Sequence, residues 1–195
     1  MRKTATALLV LALGTALLGV TGCTLFANPL DDANAAIEEG NVHIRLYQAS
    51  EDKVAKIATD LSSLNATTSA DAAKALEYVA QLKQELTTQK SELQAGADAI
   101  AKVTTFDVDE SFKKYAELEV AALKAQIAVV LEGEKYYGEM ERHYVAIRDG
   151  KSDQKTTAEI LKNMDVSSAR ITELSKTASD AKDAADKQFE ITSQE

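Results

Sequence analysis

Residues 69–103 have the sequence SADAAKALEYVAQLKQELTTQKSELQAGADAIAKV, which holds the most regular hydrophobic pattern in the chain. An apolar residue recurs there every seven positions, at Ala72, Val79, Leu86, Leu93 and Ile100. Further apolar residues fill the alternate positions, at Leu76, Leu82, Ala97 and Val103. A sustained seven-residue repeat is typical of helices that pack in an antiparallel bundle. The segment therefore predicts one long amphipathic helix, for which Thr68 and Asp71 form a capping-box-like start.

A similar apolar stripe lies on the N-terminal side of this segment. The first predicted helix runs from about Asp31 to Leu64, and its apolar residues recur at spacings of three, four and seven. Pro29, the single proline of the sequence, stands just before it. Since helix-breaking residues are otherwise scarce, we expect long helices joined by short connections.

Two more stripes follow on the C-terminal side. The third predicted helix begins at a cap formed by Asp107 with Glu110, and the fourth begins at a cap formed by Thr156 with Glu159. The third helix carries Ala116, Leu123, Val130, Tyr137 and Tyr144 on one seam. The inner face of the fourth comprises Ile160, Leu161, Met164, Ile171, Leu174, Ala178, Ala181, Ala185 and Phe189.

Four amphipathic helices of similar length predict the fold class. We expect an all-α protein, an antiparallel up-down-up-down four-helix bundle of long amphipathic helices that occupies residues 31–195. The main alternative is an open or oligomeric coiled coil, in which some stripes meet another subunit.

The N-terminal residues have a different pattern. Arg2 and Lys3 precede an apolar run from Ala5 to Val20, and the sequence Val-Thr-Gly-Cys closes it at residues 20–23. This arrangement resembles the lipobox signal peptide of bacterial lipoproteins. The resemblance implies cleavage between Gly22 and Cys23, with residues 1–22 removed. Cys23 would then carry acyl chains such as palmitate.

The same resemblance implies a location in the cell. Residues 23–30 would be a short lipidated tether, and acyl chains on Cys23 would hold the protein to a membrane on its non-cytoplasmic side, in the cell envelope. Thr24 follows the modified cysteine where an aspartate would indicate retention at an inner membrane. An outer-membrane location is therefore favoured if the host has two membranes.

Composition narrows the classes of partner and chemistry. The net charge of −9 becomes two units more negative if Arg2 and Lys3 are removed, so nucleic acid is not an expected partner. Cys23 is the sole cysteine of the sequence, which leaves no second thiol for an internal disulfide. Motifs for a catalytic nucleophile, a phosphate loop or a calcium loop are missing, so we expect no catalytic residues, no metal and no cofactor.

Two weaker features remain as candidate sites. Tyr78, Tyr136, Tyr137 and Tyr144 fall toward the end of the bundle farthest from Cys23, where they form either a distal contact site or wide layers of the core. Glu51 and Gly133 fall at similar levels on inner faces. They indicate either a polar site in the middle of the bundle or a close helix approach with charges extending outward.

These observations favour a non-enzymatic envelope protein with a structural or protein-interaction role, for which we expect an envelope protein partner and allow an oligomer. The alternative is a carrier that binds a small ligand or cofactor inside the bundle. A carrier needs a cavity of at least ~300 Å³, whereas a structural bundle is packed without one.

Overall fold

The computed structural model describes residues 28–193, and within that range it confirms an all-α four-helix bundle. The helices are α1 (Pro29–Ser62), α2 (Ser69–Ala101), α3 (Glu110–Arg148) and α4 (Gln154–Thr192). A short 3₁₀ helix, Lys102–Thr105, extends the end of α2. The predicted cleavage site and Cys23, the predicted lipidation site, lie outside the described residues.

Local sequence explains where α1 and α2 begin. The Asn28 side chain accepts a hydrogen bond from the Leu30 backbone amide, and Pro29 occupies the first turn, where no amide donor is needed. Pro29 and Leu30, which we had assigned to the tether, therefore belong to α1. At the start of α2, Thr68 accepts from the Asp71 amide and donates to the Asp71 carboxylate, so this predicted cap is confirmed.

The predicted caps of α3 and α4 are wrong. Asp109, and not Asp107, stands at the N-cap of α3, and its side chain makes no capping hydrogen bond. Asp153 caps α4, since its carboxylate accepts from the backbone amide and the hydroxyl of Thr156. Thr156 is thus the residue being capped. Gly150 has a φ of +65°, the conformation that turns the chain between α3 and α4.

Contacts near the helix ends give the relative direction of neighbours. The start of each helix lies beside the end of the next: Glu39 contacts Lys102, Ser69 contacts Arg148, and Ser111 contacts Gln188. Successive helices therefore run in opposite directions, as the short connections require.

The hydrophobic core comes from three of the four helices. One cluster combines Tyr47, Leu93 and Leu123 with their neighbours, and a second lies toward the far end around Val79 and Leu82. Every buried member of either cluster belongs to α1, α2, α3 or the 3₁₀ helix. α4 lies against α3 and buries mainly small or polar side chains, which are Ser167, Ala178, Ala185 and Thr192, together with Ile160.

A pair of glycines allows α1 and α2 to approach closely. A Cβ added at Gly40 would lie 2.4 Å from Cγ1 of Ile100 and 3.2 Å from the carbonyl oxygen of Gly96. A Cβ at Gly96 would lie 3.4 Å from the carbonyl oxygen of Gly40. Because Ile100 is completely buried, it has little room to move. The two glycines therefore set the α1–α2 distance.

The bundle is open along one side. Packing runs from α1 to α2, from α2 to α3 and from α3 to α4, whereas α1 and α4 barely approach each other at the backbone. Leu161, which we had placed on the inner face of α4, is consequently 47% exposed. Among the described residues, no helix has the length and hydrophobicity needed to cross a lipid bilayer.

Candidate functional site

The open side forms a groove between α1 and α4, with α3 as its floor. We call it the seam groove, and its volume is about 70 Å³. Its lining residues are Ile44, Tyr47, Glu51, Leu93, Glu119, Ala122, Leu123, Gln126, Ser175, Ala178, Ser179 and Lys182. The groove is thus apolar for much of its length and carries polar groups from three helices.

Glu119 and Lys182 lie at one end of the seam groove. Glu119 is only 2% exposed, and Nζ of Lys182 lies 3.4 Å from Oε2 of Glu119 while also contacting the carboxylate of Asp186. Burial raises the pKa of Glu119, and the charge of Lys182 offsets that effect only in part. One lysine faces two carboxylates here, so this end has an uncompensated negative charge.

Tyr47, Glu51 and Gln126 lie at the other end. The Tyr47 hydroxyl donates to the Glu51 carboxylate and accepts a 2.6 Å hydrogen bond from Nε2 of Gln126. Tyr47 is 3% exposed. Burial is the main cause that raises the pKa of Glu51, and also that of Tyr47. Within the described residues no cation pairs with Glu51, which gives this end a second uncompensated charge.

Helix geometry gives the separation of the two ends. Glu119 lies at the level of Lys182, and Gln126 lies at the level of Tyr47. Seven residues separate Glu119 from Gln126 on α3, which corresponds to about 10 Å. The seam groove is therefore elongated, with Ile44, Leu93 and other apolar walls between its two polar ends.

The structure separates the two residues of the predicted mid-bundle site. Glu51 lines the seam groove, whereas Gly133 does not. A Cβ at Gly133 would lie 3.6 Å from Leu86, an ordinary packing distance between α3 and α2. Of the two interpretations given above, a polar site suits Glu51 and close packing suits Gly133.

The four tyrosines of the predicted distal contact site lie together, partly buried. Tyr78, Tyr137 and Tyr144 pack against the distal core cluster, and Tyr136 meets Tyr137 edge to face at 5.3 Å between ring centroids. Burial raises the pKa of Tyr137 to about 12. These rings complete the wide end of the core, and each keeps part of its surface in contact with solvent.

The histidines lie in unrelated surroundings. Nδ1 of His43 is 2.7 Å from the carboxylate of Glu92, whereas Nδ1 of His143 is buried without a hydrogen-bond partner. Burial lowers the pKa of His143. Over residues 28–193, no three His, Cys, Asp or Glu side chains are grouped so that they could hold a metal ion.

A second depression lies on the outside of α3 and α4. It is shallow and widely open to solvent, with a volume of about 570 Å³. Its acidic side chains pair with bases three residues along α3, Glu132 with Lys135 and Glu139 with Arg142. Val166, 61% exposed, lies on its α4 side.

Glu119, Gln126 and Lys182 are the groove residues that sequence reasoning missed. A signal for two of them exists in the seven-residue row Phe112, Glu119, Gln126, Gly133, Met140 and Ile147 on α3. The row is apolar at both ends and polar or glycine in the middle. Charged or amide side chains on an otherwise buried row indicate a polar site inside the packing.

The chain gives no match to any protein-family model, to any curated protein or to any solved structure.

Proposed function

We propose that the protein is a lipid-anchored cell-envelope protein that acts through protein contacts and catalyses no reaction. The anchor rests on the lipobox resemblance at residues 20–23, where Gly22 and Cys23 define the cleavage position and Cys23 carries the acyl chains. The bundle would then stand on the non-cytoplasmic side of a membrane, the outer membrane in a host with two membranes.

The observation that carries the interaction role is the uncovered apolar surface of α4. Leu161, Val166 and Ile191 are 47%, 61% and 54% exposed, and apart from Ile160 the side chains that α4 buries are small or polar. Val166 lies beside the open depression on α3 and α4, and a large apolar side chain left in solvent at such a place is typical of protein contact sites. The partner we expect is another envelope protein, or a further copy of this chain.

The cavity volume favours this role over the carrier alternative. The seam groove measures about 70 Å³, below the ~300 Å³ that a drug-sized ligand or cofactor requires. The larger depression on α3 and α4 is open to solvent, so it cannot enclose a ligand.

The anchor is tested by intact mass and fractionation of the protein expressed in its host. The expected mass lacks residues 1–22 and includes acyl chains, and the protein is found in the membrane fraction. Cys23→Ser is expected to abolish both the acylation and the membrane association. An unmodified Cys23 in a protein that remains soluble would exclude the anchor.

The contact role is tested by native mass spectrometry of the detergent-extracted protein. We expect a complex with a partner or with a second copy, which Val166→Asp dissociates while the helical circular dichroism stays unchanged. Val42→Asp, the same substitution at an exposed position on α1, is the matched control and is expected to keep the complex. A monomer without partner from the native membrane would contradict the role.

A further inference from the structure

α1 carries a second apolar stripe on the side that faces away from the bundle. Val42 and Leu46 are 42% and 49% exposed, on the opposite side of the helix from the buried Ile44. Exposed alanines continue this face at helical spacings of seven and three residues. We call this surface the outer stripe, and it comprises Ala35, Val42, Leu46 and Ala49. Since the core uses the opposite face of α1, the outer stripe contributes little to the fold and is available to a partner.

Acidic residues beside the outer stripe are neutralised within the chain. Oε1 of Glu38 lies 2.7 Å from Nη2 of Arg45, and Oε2 of Glu39 lies 2.8 Å from Nζ of Lys102. Two further carboxylates lie on this face in the first and last turns of α1, those of Asp31 and Asp60. The middle of the face is therefore apolar, and the carboxylates next to it are already paired.

Two lysines extend the outer stripe toward the end of α1. Lys53 and Lys56 follow Ala49 at spacings of four and three residues, which keeps them on the same face. Both are exposed, although Nζ of Lys53 also lies 3.5 Å from Oε1 of Glu85. Lysines beside an apolar stripe can lay their methylene stems on a lipid surface while their ammonium groups reach phosphate. The chemistry of this face thus suits a phospholipid surface.

The outer stripe also lies close to the predicted lipidation site. Only residues 24–28 separate Cys23 from α1, so the start of the helix is at most ~20 Å from the anchor. Val42 and Leu46 lie about 20 and 25 Å further along the helix axis. A bundle tethered this closely can tip onto α1, which brings the outer stripe to the lipid. Because an acyl anchor already confines the protein to the surface, two large apolar side chains are enough to orient it.

We propose that the outer stripe lies on the phospholipid surface to which Cys23 is anchored, so that the bundle rests on its α1 side. Val42 and Leu46 enter the boundary between headgroups and acyl chains, and Lys53 and Lys56 contact lipid phosphates. The α4 surface around Val166 stays free for the protein partner. This inference rests on the proposed anchor and adds the orientation in which the anchored protein is held.

The test uses tryptophan fluorescence, because the chain has no tryptophan of its own. Leu46→Trp and the control Val166→Trp are each expressed in the host, purified with their acyl chains and reconstituted into phosphatidylcholine vesicles. Flotation with the vesicles measures the anchor separately. Acyl chains brominated near the headgroup are expected to quench about half of the Leu46→Trp fluorescence and to leave that of Val166→Trp unchanged.

Each other outcome overturns the proposal in a recognisable way. Vesicle-bound Leu46→Trp that bromine does not quench would leave the anchor intact and exclude the orientation. If its emission were shifted to the blue without quenching, a protein and not lipid would cover the outer stripe. Equal quenching of both tryptophans would mean that the bundle has no preferred side. Protein that does not float with the vesicles would remove the anchor as well.

A second substitution shows whether the natural stripe, and not the new tryptophan, causes the contact. Val42→Asp added to Leu46→Trp places a charge in the outer stripe and is expected to abolish the quenching while the circular dichroism stays unchanged. Val166→Asp added to Leu46→Trp is the matched control and is expected to keep it. Quenching that survives Val42→Asp would show that the tryptophan enters the lipid by itself, which would overturn the proposal.

Discussion

α2 and α4 are both long amphipathic helices, yet the bundle uses them differently. α2 lies between α1 and α3, and it buries Leu82, Leu93 and Ile100 almost completely. α4 packs mainly against α3 and leaves Leu161 and Val166 in solvent. A stripe of apolar residues shows that a helix has a face to bury, but the number of neighbours decides how much of that face is buried.

The largest effect on stability is expected when one leucine side chain is shortened in each of the two helices. Leu93→Ala deletes a side chain that is 1% exposed in the main cluster, so it is expected to lower the free energy of unfolding by about 2–5 kcal/mol. Leu161→Ala removes the same atoms from a side chain that is 47% exposed and is expected to cost less than about 1 kcal/mol. Urea denaturation measures both. Equal losses would mean that α4 is covered in solution.

The helices also approach each other more closely on the α2 side of the molecule. Glycine substitutions test this difference. Gly40→Ala places a methyl group against the buried Ile100, and the strain is expected to cost about 1–3 kcal/mol. Gly138→Ala, on α3 next to the open depression, meets nothing within 4 Å and is expected to stabilise by about 0.5–1 kcal/mol through helix propensity. Thermal unfolding of both variants provides the measurement. A stabilising Gly40→Ala would mean that α1 and α2 can move apart.

The contrast between α2 and α4 also shows how much of the structure could be predicted from the sequence. The heptad of α2 predicted buried residues correctly at Ala72, Val79, Leu86, Leu93 and Ile100. Repeats are informative where a helix has neighbours on two sides. They could not show that Leu161 would lack a neighbour, because the separation of α1 and α4 depends on the whole assembly.

The candidate site was predicted only in part for a similar reason. Glu51 was identified as a charged residue on an apolar row, but the partners that make it a site come from α1 and α3. The close pair Gly40 and Gly96 left no periodic signal, since a glycine in a helix is ordinary until a second backbone lies against it. The caps were predicted at the wrong residues because several nearby side chains can accept a capping hydrogen bond. For α3, Asp107 was predicted as the N-cap, whereas Asp109 occupies that position.

A smaller effect is expected at the start of α4, where local interactions replace core packing. Asp153→Ala removes the hydrogen bonds to Thr156 and is expected to lower stability by about 1 kcal/mol. Asp109→Ala, at an N-cap position without a side-chain capping bond, is expected to change the free energy of unfolding by only a few tenths of a kcal/mol. Amide hydrogen exchange shows where Asp153→Ala destabilises the protein, and we expect faster exchange only in the first turns of α4. Exchange that accelerates across α2 as well would show that α4 unfolds together with the core.

The smallest effect concerns the pH dependence of stability in the seam groove. Burial raises the pKa values of Glu51 and Glu119 above 4.5 in the folded protein. Between 4.5 and those raised values the folded state binds more protons than the unfolded state, so these groups increase stability as the pH falls from 7 toward 5. The gain is expected to stay below about 1 kcal/mol, because Glu51 is partly exposed.

The double variant Glu51→Gln with Glu119→Gln isolates this gain. His143, whose pKa is lowered by burial, acts in the opposite direction in both proteins and cancels in the difference. Urea unfolding at pH 7 and pH 5 should show the wild type gaining stability relative to the double variant. If the free energies of unfolding of the two proteins changed equally with pH, solvent would reach both carboxylates freely. The open side of the bundle would then be wider than the seam groove. A larger gain than expected would mean that α4 closes toward α1 once the two charges are neutral.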